Sequence, residues 1–151
     1  MKTNNVLHKI SHLRWVFLAV VVSLVAYSFL LMPTNLISII GLILFFTGIQ
    51  LGLDSLSDVE KMSAKEQKRY QDPIYFKVQS RIILFAITLL VVISSLFISL
   101  KFVFPTGDKL LFEEFFNLGI DCWALILGFL CLLKSSFDKY LYVKAVPHEV
   151  N

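Results

Sequence analysis

An all-α membrane protein is the fold class this sequence predicts: four transmembrane helices in a bundle, both termini cytoplasmic, with a short cytoplasmic helix between the second and third spans. Three observations predict it. Hydrophobic residues make up 57% of the 151-residue chain and charged residues only 17%. The charges are clustered, which leaves several windows of about 18 or more mostly apolar residues, the signature of a membrane-spanning helix. Lysine and arginine, finally, are concentrated in alternate connections rather than spread over all of them. A chain of this length makes one integral membrane domain, 1–151.

The first two spans come from one window. Arg14 and Asp54 bracket 39 residues without a charge. A straight helix of that length would be about twice as long as a hydrocarbon core is thick. The window therefore folds back, and Pro33-Thr34-Asn35 is where it turns: proline lacks an amide donor, and Thr34 or Asn35 suits the cap of the returning helix. This predicts spans over about 15–32 and 35–53. The basic start (Lys2, Lys9, Arg14) invites comparison with a secretion signal. The apolar run is longer than a signal's core, however, and Ala26-Tyr27-Ser28 makes a poor cleavage site, so the first span reads as an uncleaved anchor.

Residues 54–81 form a cytoplasmic loop. Ser57-Asp58-Val59-Glu60 and Ser63-Ala64-Lys65-Glu66 both fit the Ser-x-x-Glu capping box, which predicts a short helix starting at one of them. Asp72-Pro73 reads as an N-cap followed by proline at the first helical position. The third helix starts there, with Tyr75 and Phe76 at headgroup level, and spans the membrane over about 82–104. Phe104-Pro105-Thr106-Gly107-Asp108 stops it. The fourth span covers about 113–134, interrupted by a single charge, Asp121. Beyond Lys134, the mixture of Phe137, Tyr140 and Tyr142 with charged residues predicts an interfacial helix.

Orientation follows from the excess of Lys and Arg in cytoplasmic loops. The N-terminal segment carries three, the loop between spans two and three carries six, and the tail carries three. The first turn carries none and the last loop two, Lys101 and Lys109. Twelve against two puts both termini in the cytoplasm. The net charge of +3 therefore hides a basic inner face, which attracts anionic lipid. No basic domain exists to bind nucleic acid. Spans rich in Leu, Ile and Phe but poor in Ala point to the cytoplasmic membrane of a bacterium with an AT-rich genome.

Small residues mark where membrane helices approach closely. The second span offers Ser38, Gly41, Gly48 and Gly52, with Gly48-x-x-x-Gly52 a match to the dimer motif. The first offers Ala19, Ser23 and Ala26, the third Ala86, Ser94, Ser95 and Ser99. Packing within one bundle is the expected use, and self-association through Gly48 and Gly52 the alternative.

In the fourth span Glu114, Asn117, Asp121, Ala124, Gly128, Cys131 and Ser135 recur at three- and four-residue spacing, which places them on one stripe. Every member is polar or small, so the stripe is expected to face protein or water. Asp121 lies seven residues beyond Glu114, roughly 10 Å by helical rise. A charge at such depth costs about 2.5–3.5 kcal/mol on insertion scales and calls for a partner, water or a proton. Lys101 is the candidate cation, Asn117 sits one turn above, and Ser23, Tyr27, Ser94, Ser95 and Ser99 are candidate donors. Asp121 is then either a packing residue that fixes helix register or a proton- or cation-binding site. Asp54, at the inner end of the second span, is expected near Arg14 or Arg81.

Other chemistry is missing. Cys122 and Cys131 fall on different faces of one helix, about 13 Å apart in rise, and read as buried, inert thiols. His8 and His12 stand four apart, but two ligands do not make a zinc site. No histidine lies inside a span to hold haem. Phosphate-binding glycine loops and hydrolase or metalloprotease motifs are absent. No enzymatic activity and no cofactor are expected. Three functions remain: a non-enzymatic protein acting through a partner in the bilayer, such as an accessory subunit or a toxin-immunity protein; a small proton- or cation-linked transporter or channel subunit using Asp121; and a membrane-perturbing effector. The expected partners are the lipid bilayer and another membrane protein or a second copy of the chain.

Overall fold

Close approach between backbones organises the molecule. The structure is a computed structural model that describes residues 13–31, 35–56, 62–103 and 109–145. Among them are five helices and no strand: α1 (Arg14–Leu31), α2 (Leu36–Ser55), α3 (Ala64–Gln71), α4 (Pro73–Val103) and α5 (Lys109–Ala145). All but α3 are long and apolar enough to cross a membrane.

Helix α1 packs on α2, α2 on α5, and α5 on α4. Among the described residues no extended contact joins α1 to α4, or α2 to α4. The spans therefore lie in an open row, α1-α2-α5-α4. The reason lies in α5, which carries small residues on two faces and so admits a close neighbour on each. Paired residues give the directions. Arg14 meets Asp54 and Phe17 meets Phe46 (ring centroids 5.9 Å apart), so α1 and α2 are antiparallel. Ser94 bonds Gly119 and Gln79 bonds Ser136, so α4 and α5 are antiparallel. Gly41 lies against Asp121 and Gly48 against Gly128, so α2 and α5 run parallel.

The α2–α5 crossing is backbone on backbone. A Cβ on Gly128 would overlap the carbonyl oxygen of Gly48 and lie 2.9 Å from its Cα. A Cβ on Gly48 would overlap the Ala124 carbonyl and lie 2.6 Å from the Leu125 nitrogen. A Cβ on Gly52, by contrast, would meet nothing within 4 Å, so among the described residues only the first half of the Gly48-x-x-x-Gly52 pair packs against another helix. The α4–α5 crossing uses Gly119, which the small-residue reading overlooked. A Cβ there would lie 2.9 Å from Ile98 Cγ1 and 3.2 Å from the Ser94 carbonyl oxygen. The hydroxyl of Ser94, fully buried, donates to the Gly119 carbonyl at 2.7 Å. Such bonds between membrane helices average about 0.6 kcal/mol.

Helix α1 is held differently. Its small residues Ala19, Ser23 and Ala26 are exposed, and none of its residues is buried. The Ser23 hydroxyl donates to the Ala19 carbonyl in its own helix. At one end Arg14 pairs with Asp54 on α2 and stacks over the Trp15 ring, 5.2 Å from its centroid.

Helices α4 and α5, at about 46 and 55 Å by rise, outrun a 30 Å hydrocarbon core. Their surplus projects at the end where α3 lies. The tail is thus no separate interfacial helix: it continues α5 without a break to Ala145. Tyr140 stacks on Phe76 at 4.4 Å, and Tyr70 meets Tyr75 edge-on at 5.7 Å. Met62, Tyr70 and Val143 are buried among them. Ser63 and Glu66 form a reciprocal capping box on α3, and the Asp72 carboxylate accepts from the Ile74 amide at 2.8 Å to start α4. Asn35 precedes α2 without a side-chain cap bond, and Thr34, the Ser57–Glu60 box and the Pro105 stop lie outside the described residues.

Two outcomes are expected. Gly128→Val should destabilise by about 1–3 kcal/mol, as overpacking does, whereas Gly52→Ala should cost nothing; thermal unfolding of both in detergent checks the contrast. Burial works against ionised Glu66, yet the Ser63 amide and the Lys139 ammonium, 3.6 Å away, hold its carboxyl below the ordinary range. A depressed folded value stabilises above the unfolded one, about 4.3, and the benefit fades as pH falls through the folded value. Hydrogen exchange at α3 amides should therefore accelerate in acid, and Glu66→Gln should remove that dependence.

Candidate functional site

The seam between α2 and α5 holds the only carboxyl placed well inside a span among the described residues. Asp121 is twelve residues into α5, about 18 Å from its start, and is half-buried. Helical phase points it toward α2, on the same side as Ala124 and Gly128. Its carboxylate lies over Gly41, where Oδ2 occupies the space a Cβ would take. Gly41, itself buried, supplies the slot by having no side chain. The two contacts Gly41–Asp121 and Gly48–Gly128 are each seven residues apart on both helices, so one register of parallel helices makes both.

The partners proposed for Asp121 are elsewhere. Lys101 is exposed near the end of α4 and sits over the Phe116 ring, 4.5 Å from its centroid, a cation–π contact. It approaches α5 on the α4 side, while Asp121 faces α2, so the two cannot meet. Ser94 donates to Gly119, Ser99 to the Leu96 carbonyl at 2.8 Å, and Ser23 within α1. Tyr27 and Ser95 are exposed. Among the described residues no donor reaches the Asp121 carboxyl.

The expected stripe is only partly a seam. Asp121, Ala124, Gly128 and Ser135 lie toward α2, but Asn117 and Cys131 are exposed and Glu114 is half-buried. In the register of Gly41 and Asp121, α2 begins level with Phe116, so Glu114 lies beyond it. The two thiols also differ: Cys122 is buried and Cys131 exposed, against the expectation that both are buried. Asp54 pairs with Arg14, one of its two expected partners. His8 and His12 lie outside the described residues.

Chemically, a lone carboxyl in a slot between two helices can hold a proton, a cation or a hydrogen-bond donor brought from elsewhere, or fix helix register by packing alone. No second carboxylate adjoins it among the described residues, and the neighbouring thiol of Cys122 is buried. No family model matches the chain, and comparisons with curated proteins and with solved structures give no match either.

The slot makes a specific prediction. Gly41→Ala should displace the Asp121 side chain and destabilise by about 1–3 kcal/mol. Combining it with Asp121→Ala should recover most of that loss, because the atoms in conflict are gone. A double-mutant cycle on unfolding free energies measures the coupling.

Proposed function

We propose that this is a small non-enzymatic membrane protein that works by binding a partner within the bilayer, in the manner of an accessory subunit or a toxin-immunity protein. The observation that carries the reading is α1. Its small-residue face, Ala19, Ser23 and Ala26, is turned away from every other helix and is exposed. In hydrocarbon a helix gains little by presenting small residues to lipid, whereas close approach of another helix uses them directly. The open row adds to this, since among the described residues α1 makes extended contact with α2 only. In this reading the protein lies in a bacterial cytoplasmic membrane with its basic end and both termini inside, on the strength of the positive-inside bias. The partner is another membrane protein or a second copy of the chain.

A second reading is favoured by Asp121: a proton- or cation-linked transporter or channel subunit whose carboxyl in the Gly41 slot is the ion site. Against it stands the lack of a second intramembrane acid and of a broken helix among the described residues, features common in transporters.

One set of preparations separates the two. Replacing Ala19, Ser23 and Ala26 together by Leu should leave the monomer folded but abolish cross-linking of the protein to its neighbour in native membranes. Liposomes containing the wild type should show proton and cation flux no greater than empty ones. A flux present in the wild type and lost in Asp121→Asn would instead establish the transporter reading.

A further inference from the structure

At the end of the row that carries α3, a cleft of about 310 Å³ lies between α4 and α5, lined by Tyr75, Val78, Gln79, Ile82, Ile83 and Leu132. Its size is at the lower end of small-molecule pockets, roughly 300–1,000 Å³. Val78 and Ile82 leave its mouth open, at 49% and 63% exposed. The lining is apolar apart from the Tyr75 hydroxyl and the amide of Gln79.

That amide is half satisfied. Gln79 Nε2 donates to Ser136 Oγ at 3.3 Å, and Gln79 Oε1 is buried without a donor among the described residues. Buried carbonyls in folded proteins nearly always have a donor. Gln79 lies six residues into α4, about 9 Å from its start, and Tyr75 one turn earlier marks the level where headgroups meet chains. A molecule fitting the cleft is therefore apolar along most of its length and carries a hydrogen-bonding group at one end.

The surrounding charge narrows the choice. Segments 62–81 and 134–145 hold eight Lys or Arg against three Asp or Glu, a surplus of five positive charges. Such a surface gathers anionic lipid and repels an ammonium headgroup. A hydroxyl meets no such repulsion. It also suits the amide in either orientation, because it accepts as well as donates.

We propose that the cleft is a lipid site, occupied by an anionic phospholipid whose headgroup hydroxyl bonds to the Gln79 amide while an acyl chain lies against Val78, Ile82 and Leu132. The proposal is independent of which partner α1 binds.

Phosphatidylglycerol and phosphatidylmethanol carry the same charge and differ by the headgroup hydroxyls, so they are the probes. Lipid retained on the full-length protein is counted by native mass spectrometry as each lipid is titrated in. The expected result is a five- to tenfold preference for phosphatidylglycerol, the worth of about one hydrogen bond. Gln79→Leu should abolish that preference, and Ile82→Trp, which fills the mouth, should weaken retention of both lipids. Equal retention of the two lipids by the wild type would overturn the proposal without reliance on any variant. So would tighter binding of phosphatidylethanolamine than of phosphatidylglycerol, or a preference that survives in a folded Gln79→Leu protein.

Discussion

The contact on which the rest of this structure depends is the crossing of α2 and α5 at Gly48 and Gly128. Lipid is as apolar as leucine, so burial of hydrocarbon alone does not draw membrane helices together. What remains is dispersion between closely fitted surfaces, and it falls off steeply with distance. Two glycines facing each other let the backbones touch. That approach fixes the register, brings Gly41 against Asp121 one heptad away, and carries α1 into the molecule as a passenger on α2.

On its opposite flank α5 uses a different device. Gly119 again removes a side chain, but the space is filled by Ile98 and spanned by the hydroxyl of Ser94. A hydrogen bond in a dry environment is directional where dispersion is not, so this face specifies rotation as well as distance. Outside the hydrocarbon the same two helices switch to aromatic stacking and a capped short helix, which is the chemistry of a soluble protein. One continuous helix thus passes through three modes of packing along its length.

Much of this architecture is legible in single stretches of sequence. Uncharged windows mark the spans because hydrocarbon tolerates few charges, and Ser63 to Glu66 or Asp72-Pro73 mark helix starts because a cap involves only adjacent residues. Partner choice is another matter. Small residues show where a helix is approachable without saying by which neighbour, so Gly48 finds α5 while Gly52, Ala19 and Ser23 meet no other helix closely among the described residues. Lys101 and Asp121 carry opposite charges near the same end of the spans, which makes them look paired. Their phases on α4 and α5 turn them to different sides of α5, a relation that needs three dimensions. Gly119 escaped notice because one glycine in an apolar helix carries no pattern until Ser94 is seen opposite it.

The position of α5 in the row has a consequence for biosynthesis. Domains and their elements emerge from the ribosome in order, and α5 follows all the other helices described. Until it inserts, α1 and α2 form a hairpin and α4 stands apart, because neither α1 nor α2 makes an extended contact with it. Assembly is therefore held open until a late step and then closes on two sides at once. During that interval the glycine faces of α2 lie bare in the membrane, where another nascent helix competes for them. Long-range pairing of this kind is slow compared with formation of local hairpins. Among the described helices, the contacts of α5 are thus the last that open to the chain as it is made.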